Sequence, residues 1–415
     1  MAPPAHLKYD RSATVDGTRA FAPCYLQPHV QAPADRIFGN ASGAAGLLPA
    51  LFQGEVLISM RSLFSLQSAP LLGLDISASS AKLVELGHRK EGQLSLERCA
   101  RESMEPGAIT GGVIEKFDAV AATVRRLVKA SGTRVRQVAM ALPASAVVTK
   151  RIVLPGGLSE RQLEAQVQAQ ASQYIPFSLD EVCLDFCVIG PSPTSRGDID
   201  LLIAASRRER VQDLQGLAEA AGLKPLILDV ESYASRLAAS RLIEALPAKG
   251  VDLVVALLEV GALNTGLQVI RNAELLYERE QAFGGEKLTQ AIGLQYGLSL
   301  EEAERGKRDG ALPGDYEALV LRPFVEALVQ DMVRTLQFFF TNTPYNKVDL
   351  ILLAGGSAVI PGLGRALGQA MSTNCSLANP FDGMELGPAV RLQRIAREAP
   401  SYLRACGLAL RRFAT

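Results

Sequence analysis

Two short segments of this chain combine an acidic residue with small residues at a tight turn, a combination that can hold a phosphate. The first runs Gly73-Leu74-Asp75-Ile76-Ser77-Ala78-Ser79-Ser80-Ala81-Lys82, and the second runs Glu259-Val260-Gly261-Ala262-Leu263-Asn264-Thr265. Small residues let backbone N–H groups approach phosphate oxygens closely, and an acid at the end of a strand can hold a hydrated divalent cation. Each segment alone is equally consistent with an ordinary turn. Their repetition, with an acid at the same place, favours a pair of phosphate loops.

A third segment places two adjacent glycines between a predicted apolar strand and a predicted helix. It runs Leu352-Leu353-Ala354-Gly355-Gly356-Ser357-Ala358. Such a pair lets a flat ring or a phosphate lie against the backbone. A strand-to-helix connection that needs a positive φ would explain the same glycines, and the sequence leaves both readings open.

The composition argues against several other chemistries. Only three histidines occur, which argues against a histidine-based triad or a multi-histidine metal site. The six cysteines are scattered without a CxxC pair, as expected of reduced thiols in a cytoplasmic protein. Basic and acidic residues balance at 43 each, which argues against nucleic-acid binding. We therefore expect a globular protein of two or three domains without a membrane-spanning helix.

The hydrophobic pattern predicts that the elements around these segments occur twice, as strand, turn and strand followed by a further strand and helices. A duplicated α/β domain places a cleft between its halves, and such clefts are favoured ligand sites. The predicted strands are Leu71–Ser77, Ala81–Gly87, Leu94–Ser103 and Gln137–Leu142, then Val251–Leu258, Thr265–Ile270, Glu274–Glu280 and Asp349–Leu353.

Between the two series, from Val147 to about Leu246, lies a region whose pattern looks like an insertion. Val147–Leu154, Val182–Ile189 and Asp198–Ala205 are predicted strands, and Ser159–Tyr174 is a predicted helix. Ser159 and the glutamine three residues later have the spacing of a capping box. This pattern indicates an inserted α/β subdomain.

In their order along the chain, the three glycine-rich and acidic segments resemble the actin-like ATPase superfamily: actin, sugar kinases, heat-shock chaperones and the cell-division protein FtsA. A closer resemblance is to the PilM family of type IV pilus assembly proteins, over residues from about 60 to 415. It rests on strings that include Tyr174-Ile175-Pro176-Phe177, Leu228-Asp229-Val230-Glu231-Ser232, Phe283-Gly284-Gly285 and Cys406-Gly407-Leu408-Ala409-Leu410-Arg411.

The resemblance implies an α/β, actin-like (ribonuclease H-like) fold, with duplicated domains around a nucleotide cleft and an inserted subdomain. The first domain would comprise residues 60–143 and 207–248, the insertion 144–206 and the second domain 249–385. Residues 386–415 would form a C-terminal helix that returns to the first domain. Residues 1–59, which hold six prolines and no sustained period, would be disordered or not native, since Met60 lies about where members of this family begin.

The resemblance also implies ATP and Mg²⁺ as ligands of the cleft, with Asp75 and Glu259 facing the metal. The other implied contacts are Ser77, Ala78, Ser79 and Lys82 at the first phosphate loop, Gly261, Ala262 and Asn264 at the second, Glu304 and Lys307 at the ribose and adenine, and Gly355, Gly356 and Ser357 at the adenosine pocket.

Two of these residues also fit another role, and two others depart from the superfamily. Glu304 and Lys307, three apart on one predicted helix, also fit an ordinary surface ion pair. Ser77 stands where the superfamily commonly has glycine, and Glu259 where it commonly has aspartate. Nucleotide binding tolerates such departures more easily than hydrolysis, which needs a water held in near-attack geometry. We therefore expect slow or absent ATP turnover.

As a partner, the resemblance implies the cytoplasmic N-terminal tail of the inner-membrane protein PilN, with other pilus assembly proteins and motor ATPases as further candidates. The protein would thus be cytoplasmic and peripheral to the inner membrane. The tail would lie extended between the first domain and the insertion, with Val147–Leu154 and Ser159–Tyr174 as candidate walls. Two alternatives on the same fold are a sugar or acetate-type kinase, which needs an aspartate base, and an FtsA-like cytoskeletal membrane tether.

Overall fold

The computed structural model describes residues 70–89 and 93–413, together with the backbone of two short strands near the N-terminus. These strands, β1 (Thr14–Val15) and β2 (Thr18–Arg19), form a hairpin in which Arg19 pairs in parallel with Ile227. A pairing this short leaves no alternation in the sequence, so the aperiodic pattern did not predict it. The rest of the stretch expected to be disordered or non-native lies outside the described residues.

The first half of the chain opens with three consecutive antiparallel strands, followed by a helix and a parallel strand. The helix forms because Val120, Val124 and Leu127 recur at helical spacing and are all buried against the sheet. It ends where Gly132 adopts a left-handed conformation. The elements are β3 (Leu72–Ile76), β4 (Ser80–His88), β5 (Leu94–Ser103), β6 (Ile109–Thr110), β7 (Val113–Ile114), α1 (Phe117–Ser131) and β8 (Gln137–Leu142).

An inserted unit follows, with a sheet of its own. Its three antiparallel strands lie in the order β10-β11-β9, and its helix covers one face over a core that includes Ile152, Leu163 and Leu201. Ser159 and Gln162 form the capping box that the spacing predicted. The elements are β9 (Val147–Pro155), α2 (Glu160–Ala171), β10 (Val182–Pro191) and β11 (Asp198–Arg207).

The chain then returns to the first sheet, where β12 pairs in parallel with β8. The central five strands of that sheet lie in the order β12-β8-β3-β4-β5. The returning elements are α3 (Arg208–Ala220), β12 (Lys224–Val230) and α4 (Glu231–Glu244).

The second half repeats this topology, with strands in the order β15-β14-β13-β16-β17. In both sheets the first strand pairs antiparallel with the second and parallel with the fourth, which confirms the predicted duplication. The elements are β13 (Val255–Val260), β14 (Thr265–Arg271), β15 (Glu274–Gln281), α5 (Glu286–Tyr296), α6 (Leu300–Asp309), α7 (Arg322–Asn342), β16 (Leu350–Ala354), α8 (Leu363–Met371) and β17 (Asn374–Leu377).

One strand boundary in this half differs from the prediction by more than two residues. The strand expected from Val251 begins at Val255, because the backbone before it turns with Asp252 at a positive φ of 65°. This shift moves no candidate site residue. The long helix α7 begins at Arg322, directly after one π-helical turn over Glu317–Leu321.

The C-terminal segment returns to the first sheet and packs between the two halves. Its last helix contacts β3 and α4, and shares a core with Val84 of the first sheet and Leu257 of the second. Only glycine fits where these backbones meet: a Cβ on Gly407 would lie 1.8 Å from the carbonyl oxygen of Ala234. The elements are β18 (Glu385–Leu386), α9 (Leu392–Glu398) and α10 (Leu403–Leu410).

Candidate functional site

The acids of the two repeated hairpins are joined by one basic side chain of the last helix. Asp75 lies near the end of β3 and Glu259 near the end of β13. Arg404, on α10, donates from Nη2 to Glu259 Oε1 at 2.7 Å and from Nη1 to Asp75 Oδ1 at 3.4 Å. The same Nη1 lies 3.1 Å from Oε2 of Glu231, in the first turn of α4. One guanidinium therefore contacts three carboxylates contributed by both halves of the molecule.

A second cation lies on the other side of Asp75. Lys82 Nζ donates to Asp75 Oδ2 at 2.8 Å and lies 3.5 Å from the hydroxyl of Ser77. Asp75 is buried, which by itself raises the pKa of its carboxyl, but Lys82 and Arg404 outweigh this effect and hold the pKa below its ordinary value. Asp75 is therefore ionised at neutral pH, with one cation bound to each oxygen.

The other two carboxylates have different surroundings. Glu259 Oε2 accepts a hydrogen bond from the hydroxyl of Ser235 at 2.6 Å. Burial raises the pKa of Glu231 to about 7; Arg404 opposes this shift, and the charges of Asp75 and Glu259 add to it. Burial lowers the pKa of Arg404, but the three carboxylates raise it by more than burial lowers it, so the guanidinium stays charged.

The first candidate phosphate loop is a closed turn. The backbone N–H and the hydroxyl of Ser77 both donate to the carbonyl oxygen of Ser80, at 3.0 and 2.9 Å. Ala78 is half-buried and Ser79 is exposed at the tip of the turn. Ser77, which stands where the actin-like superfamily commonly has glycine, thus uses its side chain to close the turn.

The second candidate phosphate loop packs against the first turn of α5. The carbonyl oxygen of Gly261 accepts from the N–H of Gly285 at 3.0 Å, and that of Ala262 accepts from the N–H of Glu286 at 2.8 Å. The Asn264 side chain is exposed and donates to Glu280 Oε1 at 2.8 Å, along the neighbouring strand. The loop is therefore held by backbone bonds of its own domain.

The candidate adenosine segment packs on the same loop. Gly355 has φ +92°, and a Cβ there would lie 2.3 Å from the carbonyl oxygen of Val260, so a backbone requirement for glycine is confirmed. Ser357 donates from its hydroxyl to the carbonyl oxygen of Gly261 at 2.9 Å. Gly356 differs from its neighbour, because it is exposed and a Cβ there would meet open space. Gly356 is the position where a ligand could lie against this backbone.

Glu304 and Lys307 form more than an isolated surface pair. Lys307 Nζ lies 2.5 Å from Glu304 Oε2, and the hydroxyl of the buried Thr289 on α5 lies 2.8 Å from each of them. Burial alone would raise the pKa of Glu304, but the bonds from Lys307 and Thr289 lower it. Thr289 is also within 3.5 Å of the carbonyl oxygen of Gly285, which links this pair to the second loop.

Sequence reasoning did not select Arg404, Glu231 or Ser235 as site residues. Arg404 carried a usable signal, because it is the one charged residue within the otherwise apolar α10. Charged side chains are seldom buried without a charged partner. Glu231 lies inside a string that supported the resemblance, but nothing in that string showed that it faces Asp75.

The surroundings of Asp75 and Glu259 do not fit a Mg²⁺ ion. Mg²⁺ demands near-octahedral oxygen ligands and keeps several waters. All four carboxylate oxygens of these two residues already accept a bond from Lys82, Arg404 or Ser235. Among residues 70–89 and 93–413, no group of three or more histidine, cysteine, aspartate or glutamate side chains is placed to hold a metal ion.

Comparison with known proteins gives the family. A family model described as type IV pilus assembly protein PilM matches residues 73–413. This chain belongs to the PilM family. A solved structure of the PilM-PilN type IV pilus biogenesis complex is 29% identical and has a TM-score of 0.69, with 83% of this chain and 99% of that chain covered. The actin-like fold expected for a PilM-family protein is confirmed.

More distant solved structures also match this PilM-family chain. The ethanolamine utilization protein EutJ from Carboxydothermus hydrogenoformans is 15% identical, with a TM-score of 0.48, and the match covers 82% of this chain and 88% of that one. MreB 5 of Spiroplasma citri bound to AMPPNP is 13% identical, with a TM-score of 0.44, and the match covers 81% of this chain and 94% of that one.

Among residues 70–89 and 93–413, no helix has the length and apolar composition of a membrane span.

Proposed function

We propose that this PilM-family protein binds ATP in the cleft between its two actin-like domains and binds the N-terminal tail of PilN. The observation that carries the nucleotide proposal is the convergence of three segments far apart in sequence. The carbonyl oxygen of Gly261 in the second loop accepts hydrogen bonds from Gly285 and Ser357. The hydroxyl of Thr289 lies close to the carbonyl oxygen of Gly285 and is hydrogen-bonded to Glu304 and Lys307. These hydrogen bonds support the proposal because they link the second phosphate loop to the residues proposed for the ribose, the adenine and the adenosine pocket.

The cleft would lie between the proposed domains, residues 60–143 with 207–248 on one side and 249–385 on the other. Ser79 at the tip of the first turn, the Asn264 side chain and Gly356 are exposed and therefore open to a ligand. Asp75 and Glu259 were expected to hold Mg²⁺ with the ATP, but each of their carboxylate oxygens accepts a bond from Lys82, Arg404 or Ser235. The proposal is therefore of nucleotide binding without a catalytic role for the metal, in line with slow or absent turnover.

The PilN proposal rests on the family, on the solved PilM-PilN complex and on the shape of the insertion. Strand β9 lies at the edge of the three-stranded sheet and pairs only with β11 among the described residues. An edge strand offers unpaired backbone groups to which an extended peptide can add. Val153 on β9 and Tyr174 after α2 are 42% and 43% exposed and offer apolar contacts nearby. Binding PilN would place the protein at the cytoplasmic face of the inner membrane.

Calorimetric titration with ATP tests the nucleotide proposal. Gly356→Val should lower the affinity for ATP at least about tenfold, because its side chain would occupy the open space against which the nucleotide lies. Gly314→Val is the matched control, since Gly314 is also exposed, has open space at its Cβ and lies outside the candidate site. Equal affinity in both variants, or no ATP binding by the unaltered protein, would reject the proposed site.

Fluorescence anisotropy with a labelled synthetic peptide tests the partner proposal. The peptide should have the sequence of the PilN N-terminal tail, and a scrambled peptide of the same composition is the control. Saturable binding of the first peptide only is expected. If both peptides bind equally or neither binds, direct capture of this tail is rejected, whatever the outcome with ATP.

A further inference from the structure

Arg404 lies where acidic side chains from both halves of the molecule converge. Its two terminal nitrogens lie within 3.4 Å of carboxylate oxygens from β3, α4 and β13. Its side chain is only 19% exposed, and its Nε is buried without a hydrogen-bond partner among the described residues. A planar guanidinium presents its donors in a fixed fork, so it can satisfy several carboxylates at once.

We propose that Arg404 is the resident cation of this cleft and takes the place of a divalent metal ion between Asp75, Glu231 and Glu259. This inference rests on the proposed function, because it concerns how the same cleft receives a nucleotide. It goes further in assigning the positive charge to a side chain. The cleft then binds ATP as the metal-free anion, and Mg²⁺ contributes nothing to the affinity.

Charge and geometry both support this assignment. A metal ion ligated by Asp75 and Glu259 would have to compete with Arg404 at both carboxylates and with Lys82 at Asp75. A divalent ion placed beside the guanidinium would also be strongly repelled at this separation in a buried site. Lys82 and Arg404 together balance two of the three carboxylates, so the cluster has little net charge with which to attract a metal.

Arg404 cannot withdraw easily, because the helix that carries it is fixed on both sides. Gly73 on β3 lies so close that a Cβ would be 2.0 Å from the carbonyl oxygen of Ala405, and Gly407 lies equally close to Ala234 on α4. Removing the side chain from the cluster would also leave three carboxylates without their shared partner, and uncompensated buried charges are strongly destabilising. The guanidinium is therefore a permanent part of the site.

Metal binding and ATP binding can be measured separately. Mn²⁺ alone, followed by electron paramagnetic resonance, should remain free in the presence of the unaltered protein. Arg404→Met removes the cation and lets the three carboxylates move together around a metal ion, so this variant should bind about one Mn²⁺ per chain. Arg271→Met is the matched control, because Arg271 pairs with the exposed Asp252 outside the cleft, and it should bind none.

In ATP titrations, exchanging Mg²⁺ for EDTA should change the affinity of the unaltered protein by less than about threefold, since the coupling between metal and nucleotide is small. In Arg404→Met, Mg²⁺ should raise the affinity at least about tenfold. Mn²⁺ binding by the unaltered protein, or ATP binding that requires Mg²⁺, would overturn the proposal.

The outcomes separate this inference from the proposed function. If ATP binds under neither condition, the proposed nucleotide site fails, and the Mn²⁺ measurements still decide whether Arg404 excludes a metal. Arg404→Gln, which keeps a hydrogen-bond donor without the charge, replaces Arg404→Met if the latter does not fold. A folded variant of either kind that binds no Mn²⁺ would contradict the assignment. If neither variant folds, the two measurements on the unaltered protein decide.

Discussion

Arg411 Nε donates to Asp229 Oδ2 at 2.6 Å, and both side chains are fully buried. This ion pair joins the end of the last helix to the end of β12, two parts of the chain that are 182 residues apart. The two residues belong to separate strings through which the sequence resembles the PilM family. The strings therefore meet in space and fix the C-terminal segment to the first sheet.

Removing one partner of this pair should be strongly destabilising. Arg411→Met leaves the Asp229 carboxylate buried without its partner, and we expect a loss of about 3–5 kcal/mol in the free energy of unfolding, measured by urea denaturation. The double variant Asp229→Leu with Arg411→Met should lose less, because no uncompensated charge remains. If the losses from the two single substitutions simply add in the double variant, the pair is not coupled.

The close packing of α10 predicts a contrast between two helical glycines. Gly407→Ala places a methyl group 1.8 Å from the carbonyl oxygen of Ala234, so α10 and α4 must move apart and the midpoint of thermal unfolding should fall by several degrees. Gly216→Ala on α3 meets only the ring of Phe117 at 3.8 Å and should be neutral or stabilising by up to about 1 kcal/mol. Equal melting temperatures for the two variants would show that the helices separate freely.

The carboxyl of Glu231 predicts a pH dependence of stability. Its pKa rises from 4.5 to about 7 on folding, so the folded protein binds this proton more tightly than the unfolded chain does. Its contribution to stability is complete below pH 4.5 and is lost as the pH rises to about 7. The loss is at most about 3 kcal/mol.

Urea denaturation of Glu231→Gln across this pH range checks the prediction. The free energy of unfolding of this variant should rise relative to that of the unaltered protein as the pH increases, because glutamine does not titrate. Glu301→Gln, on an exposed helix face, provides the baseline. A constant difference from pH 4.5 to 7 would mean that Glu231 titrates as it does in the unfolded chain.

The edge strand of the insertion predicts where a substitution should weaken peptide binding. Val153→Glu places a charge on the exposed face of β9, and we expect the affinity for the PilN tail peptide to fall at least about tenfold by loss of apolar contact. Val251→Glu alters a more exposed valine, 61% exposed, in the other half of the molecule and should leave the affinity unchanged. A loss of affinity only in the second variant would move the peptide site away from the insertion.

The sequence by itself determined the elements and their duplication. Alternating and continuous apolar runs predicted the strands around Asp75 and Glu259, because the local sequence of a strand shows which of its residues are apolar and can be buried. The same holds for the inserted unit, whose capping box at Ser159 is a local signal. Boundaries such as Val255 shifted because a turn with a positive φ at Asp252 depends on backbone geometry that composition does not specify.

Only the tertiary structure decided what surrounds the two acids. Arg404 is 329 residues from Asp75 and 145 from Glu259, and no periodic pattern relates positions so far apart. Its place follows from the packing of α10 between two sheets, which depends on the glycines at positions 73 and 407 and on the ion pair of Arg411. A carboxylate that suggested a metal ligand in the sequence is therefore a partner of an arginine in the folded protein, because charge compensation is settled by whichever cation the fold brings nearest.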